Sequence, residues 1–325
     1  MHGKLLRAQN NCVRRRWMSC MNRSNLKCSV ILPTYNRYYS IKYAIQSVLR
    51  QTYRNWELII VDDSTSCNTS NYIRQLNNPK VVYHKPKKKL GSARARNSAI
   101  KLSTGEILLM AEDDIWLEEH CIEEIIKTLT QQNADVVCFK MRFIKGLIIK
   151  KEYDPHIFYP LAKSAVHSNA IPYVWHDWFG EMSEGRDPGR YVQVRACPSV
   201  FAMRRDVLEK VGYYDEKYIG NCYREETDLQ LRIGRSGYKI VHTPNTFCFH
   251  FRFKGKTEGN RAMNRMKYEY YTLRNHFRFL RKLYSQRVLP MFLLFVLYRY
   301  LYYAPRRTFG YKYVEKLKVM VFPFP

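Results

Sequence analysis

LLMAEDDIW, residues 108–116, passes from an apolar run into Glu112, Asp113 and Asp114 and then becomes apolar again. Adjacent carboxylates repel one another, and each costs free energy to remove from water unless it is paired or binds a cation. A buried strand that ends on such a group therefore indicates a ligand site. We interpret residues 112–114 as one edge of that site.

Apolar runs and segments of helical periodicity alternate through the first half of the chain. The predicted strands are 28–33, 56–64, 80–84, 105–114 and 134–143, and the predicted helices are 40–51, 68–76, 92–103 and 117–132. This alternation predicts an α/β fold with a mostly parallel central sheet and helices on both faces. Ligands of such sheets bind beyond the carboxyl ends of the strands. Asp62 and Asp63 end the second strand, so they should face the same crevice as residues 112–114.

The charge of the chain is strongly positive, with 55 Lys and Arg against 28 Asp and Glu and a formal charge of +27. This excess, which is greatest at the two ends, predicts an anionic partner: nucleic acid, an acidic membrane surface or a phosphorylated substrate. No zinc-ligand spacing, helix-turn-helix turn or RNP-like strand is evident, so we expect no nucleic-acid partner.

We divide the chain into a basic extension (1–27), a catalytic domain (28–255) and a basic amphipathic region (256–325). Turn-rich residues 150–195 predict long loops over the site.

The apolar segment VLPMFLLFVLYRYLYYAP, residues 288–305, is interrupted by Pro290 and Arg299. A clean membrane span needs about 20 apolar residues. Two interpretations stay open: a helix on an anionic membrane surface, which we favour, and a buried pair of C-terminal helices.

The nine cysteines form no CxxC pair, and no secretory signal is evident. We therefore expect a cytoplasmic protein, peripheral on the cytoplasmic face of the membrane.

Two further stretches carry charged side chains that suit a phosphorylated ligand. In KPKKKLGSARARN, residues 85–97, Arg94 and Arg96 lie at a helix start, where backbone N–H groups favour an anion such as a diphosphate. Beside a diphosphate, the carboxylates of residues 112–114 suit Mg²⁺ or Mn²⁺; a solvated helix cap is the alternative. In YREETDLQL, residues 223–231, acids in a first helical turn are favoured by the helix dipole, but one of them could also serve as a general base.

Taken together, these stretches resemble the family 2 glycosyltransferases, which are inverting enzymes of the GT-A fold. The resemblance covers about residues 28–255, and the matching stretches follow in the family's order and spacing: CSVILPTYNR, AIQSVLRQTYRNWELIIVDDS, GSARARNSAIKLSTGEILLMAEDD and VGYYDE followed by REETDLQLRIGRSGYKIVH. The resemblance implies transfer of a sugar, with inversion, from a nucleotide-diphosphate sugar to a hydroxyl acceptor. We expect that acceptor to be a glycan or a lipid-linked sugar.

The resemblance also implies roles for individual residues. The donor-binding set that it implies is Pro33, Thr34, Tyr35, Asp62, Asp63, Arg96, Asn97 and Glu112. The metal ligands that it implies are Asp113, Asp114 and His250, for Mg²⁺ or Mn²⁺; for His250, which lies among aromatic residues, a core position is the alternative. Ala111 stands where the family carries its first Asp, so Glu112 or Asp114 would supply the missing ligand, or the nucleotide would hold the metal with less help from the protein. Glu225 and Glu226 match the family's catalytic acid pair, and Glu226, the second of the two, takes the place of the base.

Three alternatives to an active transferase can be told apart. Ala111 makes a sugar-nucleotide-binding pseudoenzyme conceivable, and hydrolysis of the donor would exclude it. A nucleotidyltransferase usually carries a Gly-rich phosphate loop after the first strand, whereas PTYNR, residues 33–37, contains no glycine. A nucleic-acid-binding protein is suggested by charge alone.

Overall fold

The computed structural model describes residues 25–144, 188–251 and 263–303, together with the backbone of three short strands between 166 and 183. The strands are β1 (Cys28–Thr34), β2 (Trp56–Asp62), β3 (Val81–His84), β4 (Ile107–Met110), β5 (Ile115–Leu117), β6 (Val136–Ile144), β7 (Val166–Ala170), β8 (Val174–His176), β9 (Glu181–Ser183), β10 (Val192–Val194), β11 (Phe201–Arg204) and β12 (Ile240–Phe251). The α-helices are α1 (Tyr38–Leu49), α2 (Asn68–Leu76), α3 (Ser92–Leu102), α4 (Cys121–Gln131), α5 (Arg205–Val211), α6 (Glu225–Arg235), α7 (Arg265–Leu283) and α8 (Val288–Leu297).

One mixed sheet carries the fold, with its main strands in the order β10-β12-β6-β11-β4-β1-β2-β3. Strands β4, β1, β2 and β3 are parallel, as are β12 and β6. Strand β11 runs antiparallel to both β4 and β6 and so joins the two parallel groups. The parallel group β4-β1-β2 brings the ends of three strands to one edge of the sheet, where the polar loops lie.

Each face of the sheet has its own apolar core, because successive side chains of a strand point to opposite faces. In β1, Val30 and Leu32 belong to the cluster that packs against α1 and α4. Ile31 belongs to the cluster that packs against α3, α5 and α6. The predicted α/β architecture, a mostly parallel central sheet with helices on both faces, is confirmed, and helices follow it in the C-terminal region.

Two local predictions differ from the structure. The helix predicted over 117–132 begins at Cys121, and Leu117 lies instead in β5, which pairs with β12. The apolar residues of 115–117 suit a strand and a helix equally, and the tertiary pairing with β12 decides between them. Residues 150–195, predicted as loops, contain the short strands β7, β8, β9 and β10. The predicted extension 1–27 lies almost wholly outside the described residues.

The C-terminal helices α7 and α8 form a hairpin against the main domain. The apolar cluster under the hairpin contains Ala196, Tyr218, Leu231, Phe279, Leu280, Val288 and Met291. The opposite side of α8 is open to solvent, with Leu289 67% exposed and Leu293 60% exposed. The inner face of the segment is therefore buried as a helix pair, whereas none of the described residues covers its outer face. Among the described residues, none of the helices combines the length and the apolar character that a membrane crossing requires.

Candidate active site

The loop after β4 holds the three adjacent carboxylates, and it is fixed at both ends. The backbone N–H of Ala111 donates to Ile31 of β1, and the backbone oxygen of Asp114 accepts from Phe251 of β12. Strand β5 then pairs with β12, opposite His250. Because β4 and β12 lie on opposite sides of β11 and β6, the loop crosses the sheet edge and meets a histidine far away in sequence.

Glu112, Asp114 and His250 each offer a ligand atom, and these atoms all lie within 4.8 Å of one another. The Nε2 atom of His250 is 3.4 Å from Asp114 and 3.8 Å from Glu112. Two carboxylates and an imidazole are donors that divalent cations accept, and the nitrogen donor suits a transition-metal ion such as Mn²⁺ better than Mg²⁺. Burial and the neighbouring Asp114 raise the pKa of Glu112. The residues thus fit a divalent metal.

The carboxylate of Asp113 contacts the end of β1 and the residues that follow it. Thr34 at the end of β1 donates a hydrogen bond of 2.7 Å to Asp113, and Arg37 lies 3.6 Å from the same carboxylate. Arg37 also forms an ion pair with Asp114. Burial raises the pKa of Asp113 to about 7, although Arg37 acts against that shift. Coordination of a metal by Asp113 stays a prediction.

The acid pair at the start of α6 surrounds one buried arginine. Arg96 forms an ion pair with Glu225, lies 2.8 Å from Glu226 and lies 4.0 Å from Glu112. Ser92 donates to the carboxylate of Glu225 at 2.6 Å. Glu225 is 2% exposed, whereas the side chain of Glu226 is 22% exposed. Of the two acids, Glu226 is the one that a bound molecule can reach.

Burial and the neighbouring Glu226 together raise the pKa of Glu225 to about 7, although Arg96 acts against that shift. The same carboxylates raise the pKa of Arg96, which stays protonated. Arg96 is a permanent cation, and it holds the two carboxylates together. We take Glu225 as ionised in the assembled pair, because its contact with Arg96 is direct and Arg96 keeps its charge.

Asp62 and Asp63 lie at the end of β2, as predicted, with their carboxylates bonded to the protein. Asp62 accepts from the backbone N–H of Ser64 at 2.9 Å and from the hydroxyl of Tyr83 at 2.8 Å. Asp63 accepts from the backbone N–H groups of Leu90 and Gly91, both at 2.8 Å. These bonds fix the lysine-rich segment beside the strand end. Contact of either Asp with a ribose or base stays a prediction.

A cavity of about 770 Å³ opens beside these strand ends. Its wall includes Tyr35 after β1, Gly91 and Arg94 at the start of α3, and Lys267 and Tyr271 of α7. Pro33 and Thr34, the residues before Tyr35, lie in β1 beside Val61 and Asp62 of β2. The cavity adjoins the acid pair, since Ser92, which lies between the lining residues Gly91 and Ala93, donates to Glu225. Neither Glu225 nor Glu226 is among the residues that line it.

Asn97 fills a supporting position in α3. Its side-chain amide donates to the backbone oxygen of Tyr214 and to Glu216, both at 3.0 Å, and its oxygen accepts from the backbone of Tyr214. Asn97 therefore anchors the segment before α6 to α3. A direct contact of Asn97 with a diphosphate stays a prediction.

Sequence reasoning missed two cations that the fold brings to the site. Arg37 lies in the PTYNR stretch, where a cation one turn after a strand end was a usable signal. Lys89 places its ammonium 3.8 Å from the ring centre of Tyr35, and both residues line the cavity. It belongs to a lysine cluster that resembles a solvated face in sequence, so only the contact with Tyr35 distinguishes it from its neighbours.

A mixed α/β sheet with acids and arginines at the carboxyl ends of its strands, and a cavity beside them, is the arrangement that the resemblance to the GT-A glycosyltransferases predicts. Residues 29–212 match the profile of glycosyl transferase family 2, and the chain belongs to that family. It is therefore a glycosyltransferase, as the resemblance predicted.

Curated relatives cover different shares of the chain. It is 28% identical to the glycosyl transferase WcaA of Escherichia coli strain K12, named for colanic acid biosynthesis, over 77% of this chain and 88% of the relative. It is 28% identical to the glucosyl-dolichyl phosphate glucuronosyltransferase of Haloferax volcanii, over 72% of each chain. It is 39% identical to the UDP-Glc:alpha-D-GlcNAc-diphosphoundecaprenol beta-1,3-glucosyltransferase WfgD of Escherichia coli, over only 27% of this chain and 36% of the relative.

Proposed function

We propose that the protein transfers a sugar from a nucleotide-diphosphate sugar to a hydroxyl acceptor, with inversion and with a divalent metal. The observation that carries the proposal is the position of Glu226. It is the accessible member of an acid pair, it is oriented by the buried Arg96 at 2.8 Å, and Arg96 also reaches Glu112 of the metal cluster. A base and a metal cluster thus share one arginine.

In the proposed reaction, Glu226 accepts the proton of the acceptor hydroxyl as that oxygen attacks the anomeric carbon. The new bond forms on the face opposite the diphosphate, and the bond from the anomeric carbon to the diphosphate breaks. Its electron pair leaves with the diphosphate oxygen, so the configuration at the anomeric carbon inverts. Arg96 orients Glu226 and adds positive charge near the leaving group.

The metal would be held by Glu112, Asp114 and His250, with Asp113 beside them. A bound Mn²⁺ or Mg²⁺ neutralises charge on the departing diphosphate. Arg37 contacts Asp113 and Asp114, so it limits the mutual repulsion of the two carboxylates. The proposed donor site is the cavity of about 770 Å³, a size that suits a small ligand. Tyr35 and Lys89 would contact the nucleotide there, and Asp62 and Asp63 would hold the wall behind it.

The acceptor is proposed to be a glycan or a lipid-linked sugar at the cytoplasmic face of the membrane. Two relatives are named for acceptors carried on diphosphoundecaprenol and dolichyl phosphate. The outer face of α8 presents Leu289, Leu293 and Leu297 to solvent. Exposed Arg281 and Arg287 precede it. An apolar stripe with basic neighbours suits peripheral binding to anionic lipid.

A thermal-shift experiment tests the donor site. We expect nucleoside diphosphates and their sugars to raise the melting temperature in Mn²⁺, and the matched nucleoside monophosphates to raise it far less. A ligand at 100 times its Kd adds about 2.7 kcal/mol of stability. A transfer assay with the donor so found, with the product anomer read by NMR, then tests inversion. Retained configuration would refute the proposed mechanism, and binding without transfer or hydrolysis would favour a pseudoenzyme.

A further inference from the structure

Arg224, the residue before the acid pair, has an unusual backbone. It caps the start of α6 with φ of 77°, in the left-handed region that a residue other than glycine rarely adopts. It is 4% exposed, and its backbone oxygen accepts from Asp228, in the first turn of the helix. Such a conformation persists only where surrounding contacts hold it, and it is found at functional sites. The contacts of Arg224 therefore bear directly on where Glu225 and Glu226 point.

The side chain of Arg224 is held by the C-terminal hairpin. Its Nε–H donates to Nδ1 of His276 in α7 at 3.2 Å, and its guanidinium lies 5.5 Å from the ring centre of Phe279. His276 is fully buried. Burial lowers the pKa of His276 well below its usual value, and the charge of Arg224 lowers it further. The imidazole is thus neutral, and its Nδ1 atom accepts the hydrogen bond from the Nε–H group of Arg224.

His276 is in turn held by α8. Its ring stacks on that of Phe295, with centres 3.6 Å apart and planes at 24°. Phe295 is 1% exposed and lies on the side of α8 opposite the solvent-exposed leucines. A continuous set of contacts therefore runs from the inner face of α8 through His276 to Arg224 and the first turn of α6.

Other bonds tie the segment before α6 to the same helix. Asn221 donates to Thr272 at 2.7 Å, and Asn275 donates to the backbone oxygen of Ile219 at 2.8 Å. Within α6, Asp228 lies 2.8 Å from Lys282. The hairpin thus contacts the chain on both sides of the acid pair, and the Arg224 contact lies directly next to it.

We infer that His276 and Arg224 are positioning residues, through which the C-terminal hairpin sets the orientation of the catalytic acid pair. The inference rests on the proposed role of Glu226 as base. It makes the hairpin necessary for catalysis even in the absence of a membrane. Small displacements of a catalytic group are costly, since an error of about 1 Å can reduce the rate about 100-fold.

A matched pair of substitutions at His276 tests the inference. His276→Phe keeps the stack on Phe295 but removes the acceptor, whereas His276→Asn keeps an oxygen acceptor near the place of Nδ1. We expect His276→Phe to lower kcat about 10- to 100-fold per donor-binding molecule, with donor affinity unchanged. We expect His276→Asn to retain most of the rate. The assay is release of UDP from UDP-glucose with Mn²⁺, and calorimetry with UDP counts the binding-competent molecules.

Hydrogen exchange supplies a readout that needs no turnover. In His276→Phe the amides of residues 225–228 should exchange faster, whereas Met291→Ala, which loosens the buried side of α8 without touching Arg224, should leave them protected. The Arg224→Lys variant removes the Nε donor and should match His276→Phe, and the double variant should be no worse than either single one. Equal exchange and equal kcat in His276→Phe and Met291→Ala would overturn the inference.

The failure of this inference differs from the failure of the proposed function. If Glu226→Gln keeps the wild-type rate, the base has been assigned wrongly. Faster exchange in His276→Phe would then show only that His276 orders the first turn of α6, without a link to catalysis. If Glu226→Gln is inactive while His276→Phe has normal kcat and normal exchange, the base assignment stands and the positioning role is refuted.

Discussion

Arg96 of α3 lies 2.8 Å from Glu226 of α6, and this contact joins the helix that follows the lysine-rich segment to the helix that carries the proposed base. The same guanidinium pairs with Glu225, which is buried. A single buried cation therefore contacts both acids, of which Glu225 is buried and Glu226 is accessible. The assignment of roles within the pair follows from this difference in exposure.

Substitution of the two acids should separate their roles. Glu226→Gln keeps size and shape but cannot accept a proton, so we expect a loss of at least about 100-fold in transfer rate, with donor affinity nearly unchanged. Glu225→Gln should cost less in rate but more in melting temperature, because it removes the buried partner of Arg96. Transfer kinetics, calorimetry and melting curves of both variants provide the comparison. An inactive Glu225→Gln beside a normal Glu226→Gln would reverse the assignment.

Metal binding should depend on the three residues whose ligand atoms lie together. We expect Asp114→Asn and His250→Ala each to weaken Mn²⁺ binding at least about tenfold, because ligand loss exceeds the effect of outer-shell changes. Asp113→Asn, at a carboxylate bonded to Thr34, should weaken it less. Calorimetry with Mn²⁺ measures metal binding by these three variants, and EDTA should stop transfer by the wild type. Undiminished turnover in excess EDTA would rule out the metal requirement.

Asp63 should matter for the stability of the segment that borders the cavity. Both of its carboxylate oxygens accept backbone N–H groups, from Leu90 and Gly91. Asp63→Asn leaves one of these groups facing an amide NH₂, so we expect a loss of about 1–3 kcal/mol in the free energy of unfolding. Urea titration measures it, with Lys88→Met at an exposed lysine of the same segment as the control. Equal stability of both variants would contradict this view of Asp63.

The outer face of α8 should determine membrane binding. Full burial of a leucine is worth about 1.5–3 kcal/mol, so the double change Leu293→Glu and Leu297→Glu should weaken binding to phosphatidylglycerol vesicles at least about tenfold. Leu102→Glu changes an exposed leucine of α3 and serves as the control. Vesicle sedimentation at low and high salt measures the effect, since exposed charges are screened beyond about 8 Å at physiological ionic strength. Equal, salt-independent binding of all forms would favour a hairpin that serves packing alone.

His276 should make stability depend on pH in a defined direction. Its folded pKa lies well below the ordinary value of 6.5, so below that pH the unfolded chain binds a proton that the folded chain does not. Stability contributed by this residue is therefore complete above pH 6.5 and is lost as pH falls, by up to about 1.4 kcal/mol per pH unit. Urea titrations at pH 7.5, 6.5 and 5.5 should show a smaller decline for His276→Asn than for the wild type. Parallel declines would mean that His276 is protonated in the folded state.

Much of the fold could be predicted from the order of apolar runs. Local patterns sufficed for β1 to β4 and for the helices between them, because alternating strands and helices bury their apolar faces in only a few ways. The start of helix α4 was the exception. Residue 117 was predicted to begin the helix, but residues 115–117 form a strand instead because they pair with β12. The acids at the ends of β2 and β4 were likewise visible, because the ends of parallel strands meet at one edge.

What the sequence by itself determined is the fold class, the family and the clusters of charge at the strand ends. The partners within those clusters were decided only by the tertiary structure. Arg96 and Glu225 are 129 residues apart, and Arg224 and His276 are 52 apart, so no local pattern links them. The side of α8 that is buried was equally hidden, because an apolar helix does not reveal which face the main domain covers. Both follow from strand order and helix packing, which place charges and apolar surfaces together only when the whole chain is folded.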